Sequence, residues 1–236
     1  MIEYLKWDSD FFGFKTGLLI QNNDIEFEKQ IEEAKDDDYK LIYFFANDNS
    51  FIPETIIQKF NGKLVDRKVI YEQYVSEGTV RDLGLTTIYD QQVVSNDLLQ
   101  LAYESGQYSR FKLDDGFEPD VFIRMYKLWI ENSVKGSLAD KVYVVNEAEH
   151  VVGMVTLKTK KDTMTIGLIA ISPAYAGKGL GRQLINRTIQ TALDLGLKRI
   201  EVSTQYDNKS ACLFYKACGF STKLITDIYH FWMQPT

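Results

Sequence analysis

Ile166-Gly-Leu-Ile-Ala-Ile-Ser-Pro-Ala-Tyr-Ala-Gly-Lys-Gly-Leu-Gly-Arg-Gln-Leu-Ile185 decides how the rest of the chain is read. An apolar strand runs into a turn, Gly177, Gly179 and Gly181 alternate with other residues, and an amphipathic helix begins. Missing Cβ atoms at every second position of a strand-to-helix junction let the backbone approach a bulky anion. The N–H groups of the helix's first turn, at the positive end of its dipole, then face that anion. Gly-x-Gly-x-Gly is neither the dinucleotide fingerprint nor a P-loop with its closing Gly-Lys-Ser/Thr. The stretch predicts a phosphate cradle, against the competing reading of a merely flexible turn.

Downstream, Lys198-Arg-Ile-Glu-Val-Ser-Thr204 reads as a second strand, and Asp207 to Phe220 as a short helix closed by Gly219. Cradle and helix together resemble the Gcn5-related N-acetyltransferase (GNAT) family, whose cofactor site ends in an Asn…Ala…Tyr…Gly-Phe helix. Asn208, Ala211, Tyr215, Gly219 and Phe220 stand at those positions. The resemblance implies an α/β GNAT fold, a mixed and splayed sheet flanked by helices, and direct transfer of acetyl from acetyl-CoA to an amine. By the same resemblance, backbone N–H groups of Leu168, Ile169, Ala170 and Ile171 polarise the thioester carbonyl. Gly177, Lys178, Gly179, Leu180, Gly181 and Arg182 take the pyrophosphate, and Asn208 bonds the pantetheine arm while capping its helix.

Tyr215 follows Asn208 by two helical turns on one face, and the resemblance makes it the general acid. Its neighbours Leu213 and Phe214 keep a core aromatic as the competing reading. The family favours Gln or Arg where this chain has Ala176; Lys178 and Arg182 would supply compensating charge. No histidine or carboxylate announces itself as the base, which leaves that job to a chain of waters.

Composition narrows the alternatives. The 236 residues carry 27 Lys+Arg and 33 Asp+Glu, a net charge of -6, with no basic cluster longer than two, so nucleic acid is not an expected partner. No signal peptide or apolar run long enough to span a membrane is evident, and the cytoplasm is the expected compartment. Cys212 and Cys218 lie on different faces of one helix, which suits neither a disulfide nor a metal clip, and no metal site is expected. His150 and His230 read as structural. A homodimer remains open.

The opening, Trp7-Asp-Ser-Asp-Phe-Phe-Gly13, reads as an edge strand and turn anchored by aromatics. It also resembles the TDP-fucosamine acetyltransferases within the family. An acidic helix (Asp24 to Asp37), a strand (Lys40 to Ala46), an Asn47–Ser50 turn, a helix from Pro53 to Phe60 stopped by Asn61-Gly62, and a strand or two from Lys63 to Val75 follow. That order repeats the one from Lys198 to Met233, which makes residues 1–79 a small α/β domain, a degenerate half-copy of the domain formed by 80–236. Counting back from its stop, Gln58 stands where Tyr215 should, so the half-copy is expected to be non-catalytic. The boundary is placed in Ser76–Arg81, and residues 1 to about 75 are expected to form their own small sheet.

Beyond it come a strand near Leu83–Tyr89, a helix from Asn96 to Gly106, a loop, and a helix from Glu118 to Val134 with a core-facing stripe of Phe122, Met125, Tyr126, Trp129 and Ile130. A hairpin over Lys141–Lys158 precedes the strand entering the cradle. In the loop, Ser109-Arg110-Phe111 resembles the acceptor segment of the TDP-fucosamine acetyltransferases, as does Trp129-Ile-Glu-Asn; these resemblances imply acceptor contacts at Phe12, Ser109, Arg110 and Phe111. The expected acceptor is then a nucleotide-linked amino-deoxysugar used for cell-surface polysaccharide. A GNAT enzyme acting on a protein N-terminus, lysine or polyamine, and a non-catalytic acyl-CoA sensor, are the alternatives.

Overall fold

A computed structural model describes residues 1–20, 24–46, 52–76 and 83–233. The N-terminal half contains β1 (Ile2–Tyr4), α1 (Lys6–Phe12), β2 (Thr16–Leu19), α2 (Asp24–Asp36), β3 (Leu41–Ala46), α3 (Glu54–Lys59) and β4 (Gly62–Tyr74). It continues through β5 (Thr86–Ile88), α4 (Asn96–Ser105), α5 (Arg110–Leu113), α6 (Asp120–Val134), β6 (Lys141–Glu147), β7 (His150–Lys160) and β8 (Thr163–Ile171). A 3-10 turn at Pro173–Tyr175 leads to α7 (Leu180–Asp194), β9 (Arg199–Gln205), α8 (Lys209–Ala217) and β10 (Ser221–Trp232).

The opening is a helix rather than the expected turn. Trp7 and Phe11 stack one turn apart at 5.1 Å, Lys6 pairs with Asp10, and left-handed Gly13 closes α1 with its N–H on the Ser9 carbonyl. Asn61, at φ 51°, stops α3, and Gly62 already belongs to β4. The Asn47–Ser50 turn and most of the expected boundary, Glu77–Arg81, lie outside the described residues.

The expectation of a separate N-terminal sheet is not met. Among the described residues the strands form one sheet in the order β1-β2-β3-β10-β4-β9-β8-β7-β6-β5. β4 lies between β9 and β10, and β10 between β3 and β4, all antiparallel. Read outward from the β4/β10 pair, β3 flanks β10 as β9 flanks β4. Leu41–Ala46 run against Trp232–Asp227, much as Arg199–Gln205 run against Tyr74–Lys68. The two β-α-β units, β3-α3-β4 and β9-α8-β10, are thus related by a pseudo-two-fold and have interleaved their second strands. The N-terminal unit expected from the sequence is thus woven into one continuous sheet and does not stand apart.

Packing follows from strand alternation. On one face α7 and α8 cover Val69, Tyr71, Ile200 and Val202, and α2 and α3 cover Ile42, Phe44 and Phe231. On the other face α4 and α6 cover Val144, Met154 and Leu168, while Phe117 and Val121 cover Leu41 and Tyr43. Each such fully buried side chain contributes about 1.5–3 kcal/mol. Among the described residues no helix is long and apolar enough to cross a membrane.

Because β9 and β10 meet only through β4, a chain starting at residue 80 should fail to fold cooperatively and stay in inclusion bodies or melt without a transition. A soluble fragment with a single sharp unfolding transition would contradict the interleaving.

Candidate active site

The cradle forms where β8 ends. Gly177 and Gly179 adopt φ of 77° and 81°, a region that side-chain-bearing residues enter at a cost of about 1–3 kcal/mol. A Cβ at either would meet nothing within 4 Å, so the loop presents open backbone to the space before α7. Gly179 is the N-cap of α7 and offers no side chain to its first-turn N–H groups, which leaves them for an anion. Gly181 serves a different end: a Cβ there would lie 3.1 Å from the Phe214 ring, so its absence lets α7 pack on α8. Lys178 Nζ sits 4.5 Å from the Tyr175 ring centroid, and Arg182 Nη2 donates to the Ala217 carbonyl at 2.8 Å. Arg182 is therefore already tied to the end of α8.

Next to the cradle the sheet opens. β8 and β9 pair from Thr163↔Arg199 to Ile166↔Val202 and no further. At that point β8 carries an extra residue: Ile166 faces Leu157, Ile169 faces Val155, and Thr156 stands opposite both Gly167 and Leu168. Gly167 has no room for a Cβ, which would meet Thr156 Oγ1 at 2.8 Å. Before this bulge Met164 and Ile166 face α7 and α8; after it Ile169 and Ile171 do, and Leu168 joins the α4/α6 side.

The bulge also sorts the backbone donors. Leu168 N–H bonds Thr156 Oγ1 at 2.8 Å and Ser172 N–H bonds the Val152 carbonyl at 2.8 Å, so even-numbered groups point to β7. Alternation turns the N–H groups of Ile169 and Ile171 towards the gap. Of the four donors expected along this strand, Leu168 and Ala170 are thus directed away from it.

The gap is the mouth of a cleft of about 850 Å³ that passes from the cradle to the α4/α6 face. Val202 to Gln205 and the start of α8 form its second wall. Asn208 caps α8, its Oδ1 accepting from Ala211 N at 3.1 Å, and still lines the cleft. Tyr215 is 4% exposed and reaches the wall with no side-chain hydrogen bond among the described residues. Its ring packs on Tyr71, Phe214 and Phe220, so it is a core aromatic and a cleft residue at once. Burial foremost, then Cys218 and Cys212, raises its pKa and keeps the phenol protonated.

On the opposite face Ser109, Arg110 and Phe111 line the cleft. Ser109 caps α5 through Phe111 N. Phe12 does not reach the wall; it packs behind, 4.9 Å from Phe117 and 6.1 Å from Phe111, because α1 turns its aromatic face into the core. Arg110 lies over aromatic rings, 4.5 Å from the Phe111 centroid and 5.2 Å from that of Tyr43. Its Nε is buried without a hydrogen-bond partner, and it forms no ion pair among the described residues.

Two cleft residues come from β4, where a strand pattern alone gives no reason to look: Asp66 and Lys68. Asp66 is 8% exposed, and one of its oxygens is buried without a partner. Burial pushes its carboxyl up to about 6, opposed by Arg110 and Lys68. Burial, with Arg110, pushes Lys68 down. Tyr126 and Trp129, read in sequence as core stripe, also line the cleft, as do Glu104 and Lys160. The signal available was a carboxylate and a lysine at i and i+2 in a strand otherwise able to be buried.

Residues 105–220 match the Acetyltransferase (GNAT) family. Over 220 residues the chain is 25% identical to dTDP-fucosamine acetyltransferase of Escherichia coli O6:H1, with 92% of each chain covered. It is 24% identical over 135 residues to the spore coat polysaccharide biosynthesis protein SpsD of Bacillus subtilis, spanning 57% of this chain but only 46% of that one. A GCN5-related N-acetyltransferase from Sphaerobacter thermophilus shares the fold at a TM-score of 0.56 and 13% identity, covering 89% of this chain and 67% of the other. Residues 105–220 thus form a GNAT domain, and the chain is an N-acetyltransferase. Members of that family use acetyl-CoA.

Gly179→Val places a β-branched residue at φ 81° and should weaken acetyl-CoA binding about 10- to 100-fold by calorimetry, with the fold retained. Unchanged affinity would remove the cradle from the cofactor site.

Proposed function

We propose that the protein moves acetyl from acetyl-CoA to the amino group of a nucleotide-linked amino-deoxysugar of the dTDP-4-amino-4,6-dideoxygalactose kind, in the cytoplasm and for cell-surface polysaccharide. The observation that carries this reading is Arg110, a guanidinium without a partner carboxylate, braced on aromatic rings at the acceptor side of the cleft. A forked cation of that kind suits a diphosphate. The likeness to dTDP-fucosamine acetyltransferase along 92% of the chain supports the same acceptor class.

The lining fits acetyl-CoA: open glycine backbone and free first-turn donors for a pyrophosphate, then a slot between two strands for an extended arm. When bound, acetyl-CoA supplies the acetyl group as an activated thioester. The chain's own residues do the rest. Ile169 and Ile171 offer N–H donors along the slot, Asn208 offers its side-chain amide, and Gly177 to Arg182 hold the phosphate end. Asp66, a carboxylate above about pH 6, receives the acceptor's ammonium and accepts its proton directly or through water. Tyr215 holds a proton on its phenol oxygen for the sulfur that departs as the amide forms. The same apolar wall that weakens the phenol as an acid also destabilises a bare thiolate, which keeps transfer favourable.

Of the charged side chains lining the cleft among the described residues, Lys68, Arg110, Lys160 and Arg182 are basic and Asp66 and Glu104 acidic. That balance favours an anionic acceptor over a lysine or polyamine. The position of Tyr215 on the wall favours an enzyme over a passive sensor.

Arg110→Ala should raise the KM of the nucleotide sugar about 10- to 100-fold and leave that of acetyl-CoA unchanged; the reverse pattern would overturn the assignment. Tyr215→Phe should bind acetyl-CoA normally and lose about 10²- to 10⁴-fold in kcat. A Phe variant with wild-type kcat would return Tyr215 to a purely structural role. The acceptor's kcat/KM should fall as pH drops through about 6, where Asp66 takes up its proton. Asp66→Asn should abolish that acid limb, and its survival would exclude Asp66.

A further inference from the structure

Arg110 is held by a buried device of its own. It opens α5, a helix of four residues, whose far end is Asp114; the Asp114 N–H returns to the Arg110 carbonyl at 3.0 Å. Asp114 is 6% exposed, and its carboxylate receives three N–H donors. His230 Nδ1 at 2.5 Å and Trp232 Nε1 at 2.9 Å meet Oδ2, and Gly116 N meets Oδ1 at 3.1 Å. Burial alone would raise the Asp114 pKa, but the donors from His230, Trp232 and Gly116 outweigh it and hold the carboxyl below its usual range. His230, at 0% exposure, is pushed down to about 4, chiefly by burial, so its ring is neutral and Nδ1 carries the hydrogen that Asp114 accepts.

Both donors sit on β10, the strand flanked by β3 and β4 inside the sheet. The His230 ring stacks on Tyr43 at 4.7 Å, and the Arg110 guanidinium lies 5.2 Å from the centroid of that same Tyr43 ring. The Arg110 backbone is therefore tied to β10 through Asp114, and its head group lies over a ring that also stacks with His230. An ion pair with Asp8 or Asp66, each close enough to feel its charge, would be the ordinary way to fix an arginine, and neither forms. Fixing it through Asp114 leaves the guanidinium's own donors for a ligand.

We propose that Asp114, His230 and Trp232 are positioning residues: together they aim Arg110 at the anionic part of the acceptor without neutralising it. The inference rests on the reading of Arg110 as the acceptor's cation. Asp114→Asn keeps the shape and removes the charge that holds both donors. It should weaken binding of dTDP-4-amino-4,6-dideoxygalactose about tenfold by calorimetry with CoA present, and leave CoA affinity unaltered. In an Arg110→Ala background the same substitution should add no further loss, because the group it aims has gone. Trp232→Phe removes one N–H and keeps an aromatic ring; it should repeat the pattern at smaller amplitude, and it stands in should the Asn variant misfold. Losses that add in the Arg110→Ala background, or a matching loss of CoA affinity, would overturn the clamp. Unchanged sugar binding in Arg110→Ala alone would instead sink the reading of Arg110 and the clamp with it, so the two failures can be told apart.

Discussion

The site depends on two parallel strands that part company. β8 and β9 hold to each other for four residues, from Thr163↔Arg199 to Ile166↔Val202, and then leave a gap inside a continuous sheet. Backbone donors in such a gap have no partner, which is costly unless a ligand or water supplies one. The bulge at Gly167 makes the opening possible: it bends β8, hands Leu168 N–H to Thr156 Oγ1, and leaves Ile169 and Ile171 facing the slot. On the function proposed above, an extended thioester arm would enter from the α7/α8 face and an amine from the α4/α6 face. The glycine cradle, the Asn208 cap and Tyr215 all matter because they stand around this gap.

The rest of the fold keeps the gap open. β4 flanks β9 on the side away from β8, and β10 flanks β4, so the wall carrying Val202 to Gln205 is anchored by a strand of the N-terminal segment. The interleaving has a chemical result as well. Asp66 and Lys68 enter the cleft from β4, on the α4/α6 side, and Arg110 lies over Tyr43 of β3, beside the contact of Asp114 with β10. The N-terminal segment thus supplies part of the cleft wall; counted back from left-handed Asn61, as α8 is from Gly219, its own helix α3 carries Ile57, not the expected Gln58, where α8 carries Tyr215.

Much of the local geometry around the glycine loop was legible in sequence because its signals are local. Glycines at positive φ, an Asn three residues ahead of the N–H it caps, and a Tyr two turns further on are all fixed by near neighbours. The αβαβ order of both halves was legible for the same reason. What escaped was non-local. Nothing in Gly62–Tyr74 announces that it will lie between β9 and β10, since register is chosen by partners far along the chain. Asp114 and His230 are 116 residues apart, and neither is unusual until they meet. Phe12 was misplaced because a Trp-Phe pair at i and i+4 makes a helix here and swings Phe12 behind Phe111. Tyr126 and Trp129 follow a core period, and at the rim of a cleft the same period serves both uses.

The most direct measurement is a crystal structure of the protein with CoA and dTDP-4-amino-4,6-dideoxygalactose bound together. The account predicts the pantetheine arm between Gly167–Ile171 and Val202–Gln205 with its sulfur beside the Tyr215 hydroxyl. It further predicts the sugar diphosphate against Arg110 and the amine on the Asp66 side of the gap. Pantetheine outside the gap, or both ligands on the same face of the sheet, would contradict it.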